Sequence, residues 1–369
     1  MIQRSLCAAG LLAWAGFVAG CPKDPGEVAP AWDATPRLPS PVAGVYARSR
    51  ETPSDPALAA LVEGKPWDAA LSGAAAGLAL KLVGEIGGPD ESPGLTRWRV
   101  REAMWKAGYP FPARDARAWP AAAGGAPPSQ LVAWLEAFPA TDDLGLVRAR
   151  GRDQDIWVAL RASPTADVGR IPRQIAEGGV FTIPANGGGR YRIADANGYL
   201  LEGTLDEPAE VEANSTGEWV VEVVPAEGQS AIFPVYVGMV PPEIPIVSDT
   251  ASVRSSADVV ERAETLLSEI RDIYGASALQ RDFVLDAGAR SLLRGDATSI
   301  DGVRESLALD PAGTMIFHCT GTTVESCMDT VVWRPENRRA LFDDASALGL
   351  AGNLDAEGAT LVGIVSVTH

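Results

Sequence analysis

Only two histidines, His318 and His369, occur in the 369-residue chain, and only four cysteines. Imidazole is the side chain that titrates near neutral pH, so a proton shuttle of the ordinary kind must use one of those two. His318 stands beside Cys319, with Glu325, Cys327 and Asp329 following closely. Two chemistries suit that spacing. In one, Cys319 and Cys327 form a disulfide, the simplest outcome for an isolated cysteine pair in an exported protein. In the other, His318, Glu325 or Asp329 and the terminal His369 converge on a divalent metal. Two cysteines and one histidine fall short of the four ligands of a structural zinc, so the disulfide is expected, with His318 partly exposed beside it.

Other catalytic signatures are missing from the sequence. There is no G-x-S-x-G elbow and no H-E-x-x-H, and a histidine-dependent triad has only the same two histidines to draw on. Carboxylate pairs such as Asp142-Asp143 and Asp343-Asp344 fall where loops or helix ends are expected and read as solvated faces. The Gly187-Gly188-Gly189 cluster has no Lys-Ser/Thr after it, so it reads as a hairpin tip and not a phosphate loop. A formal charge of −17 disfavours a nucleic-acid partner, whose affinity comes largely from Lys and Arg on phosphate.

The remaining cysteines belong to the amino terminus. Arg4 precedes a run from Ser5 to Gly20 without a charged residue, the charged and apolar regions of an export signal, too short to span a bilayer. Val18-Ala19-Gly20-Cys21 at its end resembles the bacterial lipobox, in which the cysteine is acylated and becomes the new first residue. The resemblance implies residues 1–20 as a removable leader, lipidation at Cys21 and a membrane partner through that lipid. Pro22, in place of an acidic residue, implies the outer membrane where the host has one. A proline-rich stretch without apolar periodicity follows, so 21–54 reads as a disordered tether.

Three segments must then position any site. In 55–143 helical spacing prevails: Leu71, Ala75, Leu78, Leu82 and Ile86 share one face, then Leu95, Trp98, Met104 and Trp105, then SQLVAWLEAF. In 144–242 short runs rich in β-branched and aromatic residues alternate with turns, as in DIWVALRAS and GEWVVEVVP, and fit an Ig-like β-sandwich. Within it Glu218, Val220, Glu222 and Val224 alternate with Trp219, Val221 and Val223, the period of a sheet with one face buried. A Pro- and Ser-rich linker occupies 243–255. From Ser256 two amphipathic helices follow, Val259, Ala263, Leu266 and Ile270 marking the first, and Leu285 and Ala289 the second.

In 256–369 the intervals among Leu267, Arg271, Gly275, Leu279, Asp282, Leu285 and Ala289 resemble the opening of the CAP superfamily, the cysteine-rich secretory or SCP domain. Trp333, Pro335, Arg338, Leu341, Leu348, Gly349 and Leu350 resemble a later segment of that family, and TLVGIVSVTH its final strand. The resemblance implies an α-β-α sandwich and a cleft near His318, Glu325, Asn337 and Arg338. Family members carry two histidines and two acidic residues in that cavity, a set that can bind a divalent metal. Here Asn337 stands at one histidine position, and SLLRGDATSIDG supplies none at the other. Asn neither shuttles protons near neutral pH nor replaces imidazole on zinc.

The expected molecule is an α+β multidomain chain with a helical unit, an Ig-like sandwich and a CAP-like α-β-α unit, exported and lipid-anchored at the envelope. Binding of an envelope protein, glycan or lipid is expected over catalysis, with no cofactor. The competing expectation is a metal-dependent or hydrolytic envelope enzyme built on His318, Glu325 and His369.

Overall fold

The computed structural model describes residues 44–85, 95–151, 154–241, 253–295, 300–309, 314–342 and 345–366. Leader, Cys21, the chain up to residue 43, most of the linker, Asp343-Asp344 and His369 lie outside the described residues. The fold is mixed α and β, built around several small sheets.

The first segment holds β1 (Val45–Tyr46), α1 (Pro56–Leu61), α2 (Ala69–Glu85), α3 (Arg97–Lys106), β2 (Ala113–Ala122), α4 (Ser129–Glu136), β3 (Asp143–Arg150) and β4 (Gln154–Ala162). Side-chain oxygens start its helices: Asp55 accepts from the Leu58 amide at 2.8 Å, Asp68 from the Leu71 amide at 2.8 Å, and Thr96 from the Arg99 amide at 3.2 Å. The strands form an antiparallel sheet in the order β2-β4-β3. Its two faces are both covered. Ile156, Val158 and Leu160 meet the core of α2 and α3, while Trp157 and Ala159 meet Leu58, Leu131 and Leu135 from α1 and α4. Ala-rich α2 lies so close to the sheet that a Cβ on Gly145 of β3 would stand 2.5 Å from the Leu71 carbonyl oxygen.

Helical spacing describes this segment only in part. The Ala- and Arg-rich sequence of β2, ARDARAWPAA, carries little β propensity, and it is a strand because β4 pairs along its whole length. β4, read from sequence as a sandwich strand, and β3, almost all of it inside the bounds expected for the sandwich, belong to this helix-covered sheet instead. A continuous apolar run such as IWVAL fits any strand buried on both faces and does not say which sheet owns it.

Residues 44–54, assigned from sequence to the tether, are part of the fold. β1 pairs with Ile171–Pro172 (β5), and Tyr46 is fully buried against Phe233, ring centroids 4.5 Å apart. Beyond β1, Arg48 grips Asp143 with Nε at 2.7 Å and Nη2 at 2.8 Å, Arg50 adds Nη2 at 2.9 Å, and the Tyr109 hydroxyl donates at 3.0 Å. Asp142-Asp143 is therefore a buried pair of anchors and not a solvated face; Asp142 takes Arg161 and the Ser163 hydroxyl.

The second segment adds β6 (Gln174–Ile175), β7 (Gly179–Ile183), β8 (Arg190–Ala194), β9 (Leu200–Thr204), β10 (Ala209–Ala213), β11 (Gly217–Val224) and β12 (Ala231–Val237). A five-stranded sheet, β6-β12-β11-β8-β9, and the pair β10-β7 share one core through Phe181, Val211, Trp219, Val221 and Phe233. The triple glycine connects β7 of one sheet to β8 of the other, so it is a corner between sheets and not a hairpin tip; Gly187 and Gly188 take φ +51° and +87° there.

The third segment comprises α5 (Ser256–Ile273), β13 (Gln280–Arg281), α6 (Phe283–Arg294), α7 (Ile300–Ser306), β14 (Thr314–Gly321), α8 (Val324–Val332), α9 (Pro335–Phe342), β15 (Ala347–Asp355) and β16 (Gly358–Ser366). Its sheet runs β13-β15-β16-β14. Leu285 and Ala289 of α6 and Val303 of α7 cover one face against Ala347, Ala351, Val362 and Ile364. Val259, Ala263, Leu266 and Ile270 of α5, with α8 and α9, cover the other against Phe317, Leu348, Leu350 and Leu361. Helices on both faces of one sheet make three layers.

The segments share a core. Trp333, at the end of α8, is 2% exposed and meets Trp105 of α3 edge-on, centroids 4.5 Å apart, and Trp98 at 6.2 Å. Arg97 Nε and Arg101 Nη2 of α3 reach Asp329 of α8 at 2.8 and 2.5 Å.

Candidate functional site

Helix α9 sets the site. Pro335 fits its first position, where no N–H is needed. One turn on, buried Asn337 donates from Nδ2 to the Val331 carbonyl at 2.8 Å, tying α9 to the last turn of α8. That bond makes Asn337 a peptide clamp.

The next residue, Arg338, leaves its own unit. Its Nη2 reaches Glu218 Oε1 of β11 at 2.6 Å, and the Tyr274 hydroxyl, just past α5, donates to the same oxygen at 3.0 Å. Rings surround the guanidinium carbon, with centroids at 4.4 Å for Phe342, 4.7 Å for Tyr274 and 5.6 Å for Trp333. Burial works against its charge, yet Glu218 and Tyr274 together more than offset that, and the pKa lies above the ordinary arginine value. Burial, reinforced by the Glu218 charge, pushes the Tyr274 phenol well above its usual range, so it stays a donor.

Helix α9 lies across β8 and β11. It explains why β11 departs from the alternation read in its sequence: Val220 and Glu222, on the face expected to meet water, are 0% and 5% exposed. Arg192 Nη1 holds Glu222 at 3.4 Å, and burial, then the nearby Glu336 charge, raises the Glu222 pKa.

Around the Arg338–Glu218 pair opens a cleft of ≈690 Å³ between the β8–β9 turn, the start of β11, and helices α5 and α9. Asp195 shapes the turn, accepting from the amides of Asn197 and Tyr199 at 2.8 Å each. Gly198 takes φ +76° and presses on α9, where a Cβ would stand 2.6 Å from Arg339 Cα. Tyr199 is 62% exposed, with Arg339 over its ring at 5.4 Å. Thr216 and Asn197 add neutral polar groups to the rim that Asp195 and Arg339 share.

The residues singled out from sequence go to separate places. His318 is exposed on β14, opposite Val362, with its side chain on the other sheet face from Phe317 and Cys319. Glu325 is buried and paired with Arg262 Nε of α5 at 2.7 Å. Cys319 and Cys327 form the expected disulfide, Cα atoms 5.2 Å apart, stapling β14 to α8. Of the four residues placed near the expected cleft, Arg338 alone lines the one just described. Among the described residues no group of three or more His, Cys, Asp or Glu side chains is placed to hold a metal ion. Glu218, Tyr274 and Tyr199 were not legible as site residues: Glu218 carries the signature of a solvent-facing strand position, and its role depends on a helix far along the chain.

Comparison with known proteins finds solved structures of low similarity. No family model matches, and no curated protein matches in sequence. An outer surface protein of Borrelia burgdorferi aligns with 31% of this chain and 98% of its own, at 13% identity and TM-score 0.26. A cysteine-rich secretory protein of Staphylococcus aureus aligns with 76% of this chain and 94% of its own, at 10% identity and TM-score 0.27. TM-scores this low do not fix a fold. No described helix is long and apolar enough to cross a membrane.

Proposed function

We propose that the chain is an exported protein held at the cell envelope by a lipid on Cys21 and that it acts by binding, through the cleft at the Arg338–Glu218 seam. In this reading the third segment is a CAP-type α-β-α unit without its acid–base histidines, and the second is an Ig-like sandwich that supplies half of the cleft. The three-layer order of the third segment supports the first assignment, and the two facing sheets support the second. Pro22 supports an outer-membrane address.

One observation carries the preference for binding over catalysis. Glu218, the carboxylate at the floor of the cleft, is occupied as an acceptor: Arg338 Nη2 and the Tyr274 hydroxyl both donate to its Oε1, so it is committed to the seam that holds the two units together. The opposite charges of Asp195 and Arg339 balance at the rim. A neutral lining of amide, hydroxyl and planar groups with one exposed aromatic face suits a hydroxyl-rich ligand, and we assign the cleft to a glycan segment of the envelope.

The test uses the full chain in detergent. Titration with β-linked N-acetylhexosamine oligosaccharides should give saturable binding that Tyr199→Ala weakens about tenfold, about 1.4 kcal/mol, as loss of a stacking face requires. Mass spectrometry of the amino-terminal peptide from bacterial membranes should find acyl chains on Cys21. Bond turnover abolished by Glu218→Gln, or stoichiometric zinc lost in His318→Ala, would establish the enzyme reading instead.

A further inference from the structure

Between α3 and β2 lies a second, smaller pocket of ≈240 Å³. Its charged lining is Arg97, Arg101, Arg114 and Asp115. Asp115 is already engaged, accepting from Arg117 Nε at 3.0 Å and Trp134 Nε1 at 2.9 Å. Behind the pocket, fully buried Asp329 serves both Arg97 and Arg101, one carboxylate for two guanidinium groups. Arg114 is exposed, and among the described residues its hydrogen bond is to the Ser163 hydroxyl, at 3.4 Å; Asp142, close enough to feel its charge, is held by Arg161 and the Ser163 hydroxyl. Among the described residues the pocket thus carries an excess of two positive charges, in a chain whose net charge is −17.

A second feature points the same way. Arg101 is 8% exposed, and its Nε–H is buried without an acceptor among the described residues. A buried guanidinium donor left unpaired is costly, and an oxyanion beside it supplies the missing acceptor. The fork of a guanidinium matches the oxygens of a phosphate, and two uncompensated charges match a phosphate group better than a carboxylate.

We propose that the Arg97–Arg101–Arg114 pocket binds a phosphate group, free or as part of a lipid headgroup. This site is separate from the glycan cleft and does not depend on it.

Calorimetry on the full chain in detergent at low ionic strength tests it, with inorganic phosphate, glycerol 3-phosphate and chloride as probes. One saturable phosphate site is expected, and none for chloride. Exposed Arg114→Gln should weaken phosphate about tenfold with an unchanged circular dichroism spectrum, and Arg97→Gln provides an independent second variant. Vesicles of phosphatidylglycerol, compared with phosphatidylcholine, separate the sources. Variant-sensitive sedimentation with the anionic vesicles supports a headgroup, and phosphate binding without it supports the free ion. Lack of saturable phosphate binding, or an affinity unchanged from that of the parent chain in both variants, overturns the proposal.

Discussion

Arg338 of α9 and Glu218 of β11, 120 residues apart in sequence, meet at 2.6 Å with side chains 7% and 10% exposed. A charge pair so far from water is weak evidence of net stabilisation but strong evidence of constraint. Losing either partner strands the other charge in the seam, where Phe342 and Tyr274 cannot solvate it fully. Arg338→Met or Glu218→Leu alone should cost roughly 3–5 kcal/mol in chemical denaturation. The double variant should recover much of that loss, and additive losses would show that the two groups act separately.

The Asp68 carboxylate gives stability a pH dependence. Burial pushes its pKa up from 3.8 to about 7, against the amides of Leu71 and Ser49 that favour the charged form. Between those values the folded state holds a proton that the unfolded chain has released. Its contribution to stability is therefore fully present below pH 3.8 and falls as pH rises to about 7. Asp68→Asn keeps the helix cap but removes the titration, so its melting temperature should vary less between about pH 5 and about pH 8 than that of the parent chain. An unchanged slope would place the titration elsewhere.

The Cys319–Cys327 disulfide closes a short loop between β14 and α8. Reduction, or replacement of both cysteines by serine, should lower stability by about 2 kcal/mol, the low end expected when the loop is short. Comparing denaturation midpoints with and without reductant measures it. The serine variant should be insensitive to reductant.

Gly198 joins the β8–β9 turn to α9. An alanine there meets two obstacles, a φ of +76° and Arg339 Cα at 2.6 Å. Gly198→Ala should cost roughly 1–3 kcal/mol and widen the cleft, weakening glycan binding as well. Gly64→Ala, at a positive φ of +73° with open space around it, is the control for the backbone term alone and should leave binding intact.

Several features were legible in the sequence because they depend on neighbours a few residues away. The three- and four-residue spacing of Leu71, Ala75, Leu78 and Leu82, and of Val259, Ala263, Leu266 and Ile270, marked α2 and α5, whose buried faces carry those residues. Cys319 and Cys327 had only each other once the remaining two cysteines were assigned to the leader (Cys7) and the anchor (Cys21), and they are joined. Tertiary structure decided the rest. β2 is a strand through its pairing with β4, Arg48 and Arg50 leave the expected tether because they pair with buried Asp143, and β11 hides its second face because α9 lies on it. Helical and strand periods report which face of an element is apolar. Which distant element covers that face, and which charge it brings, is set by packing across hundreds of residues, and that is where the cleft was made.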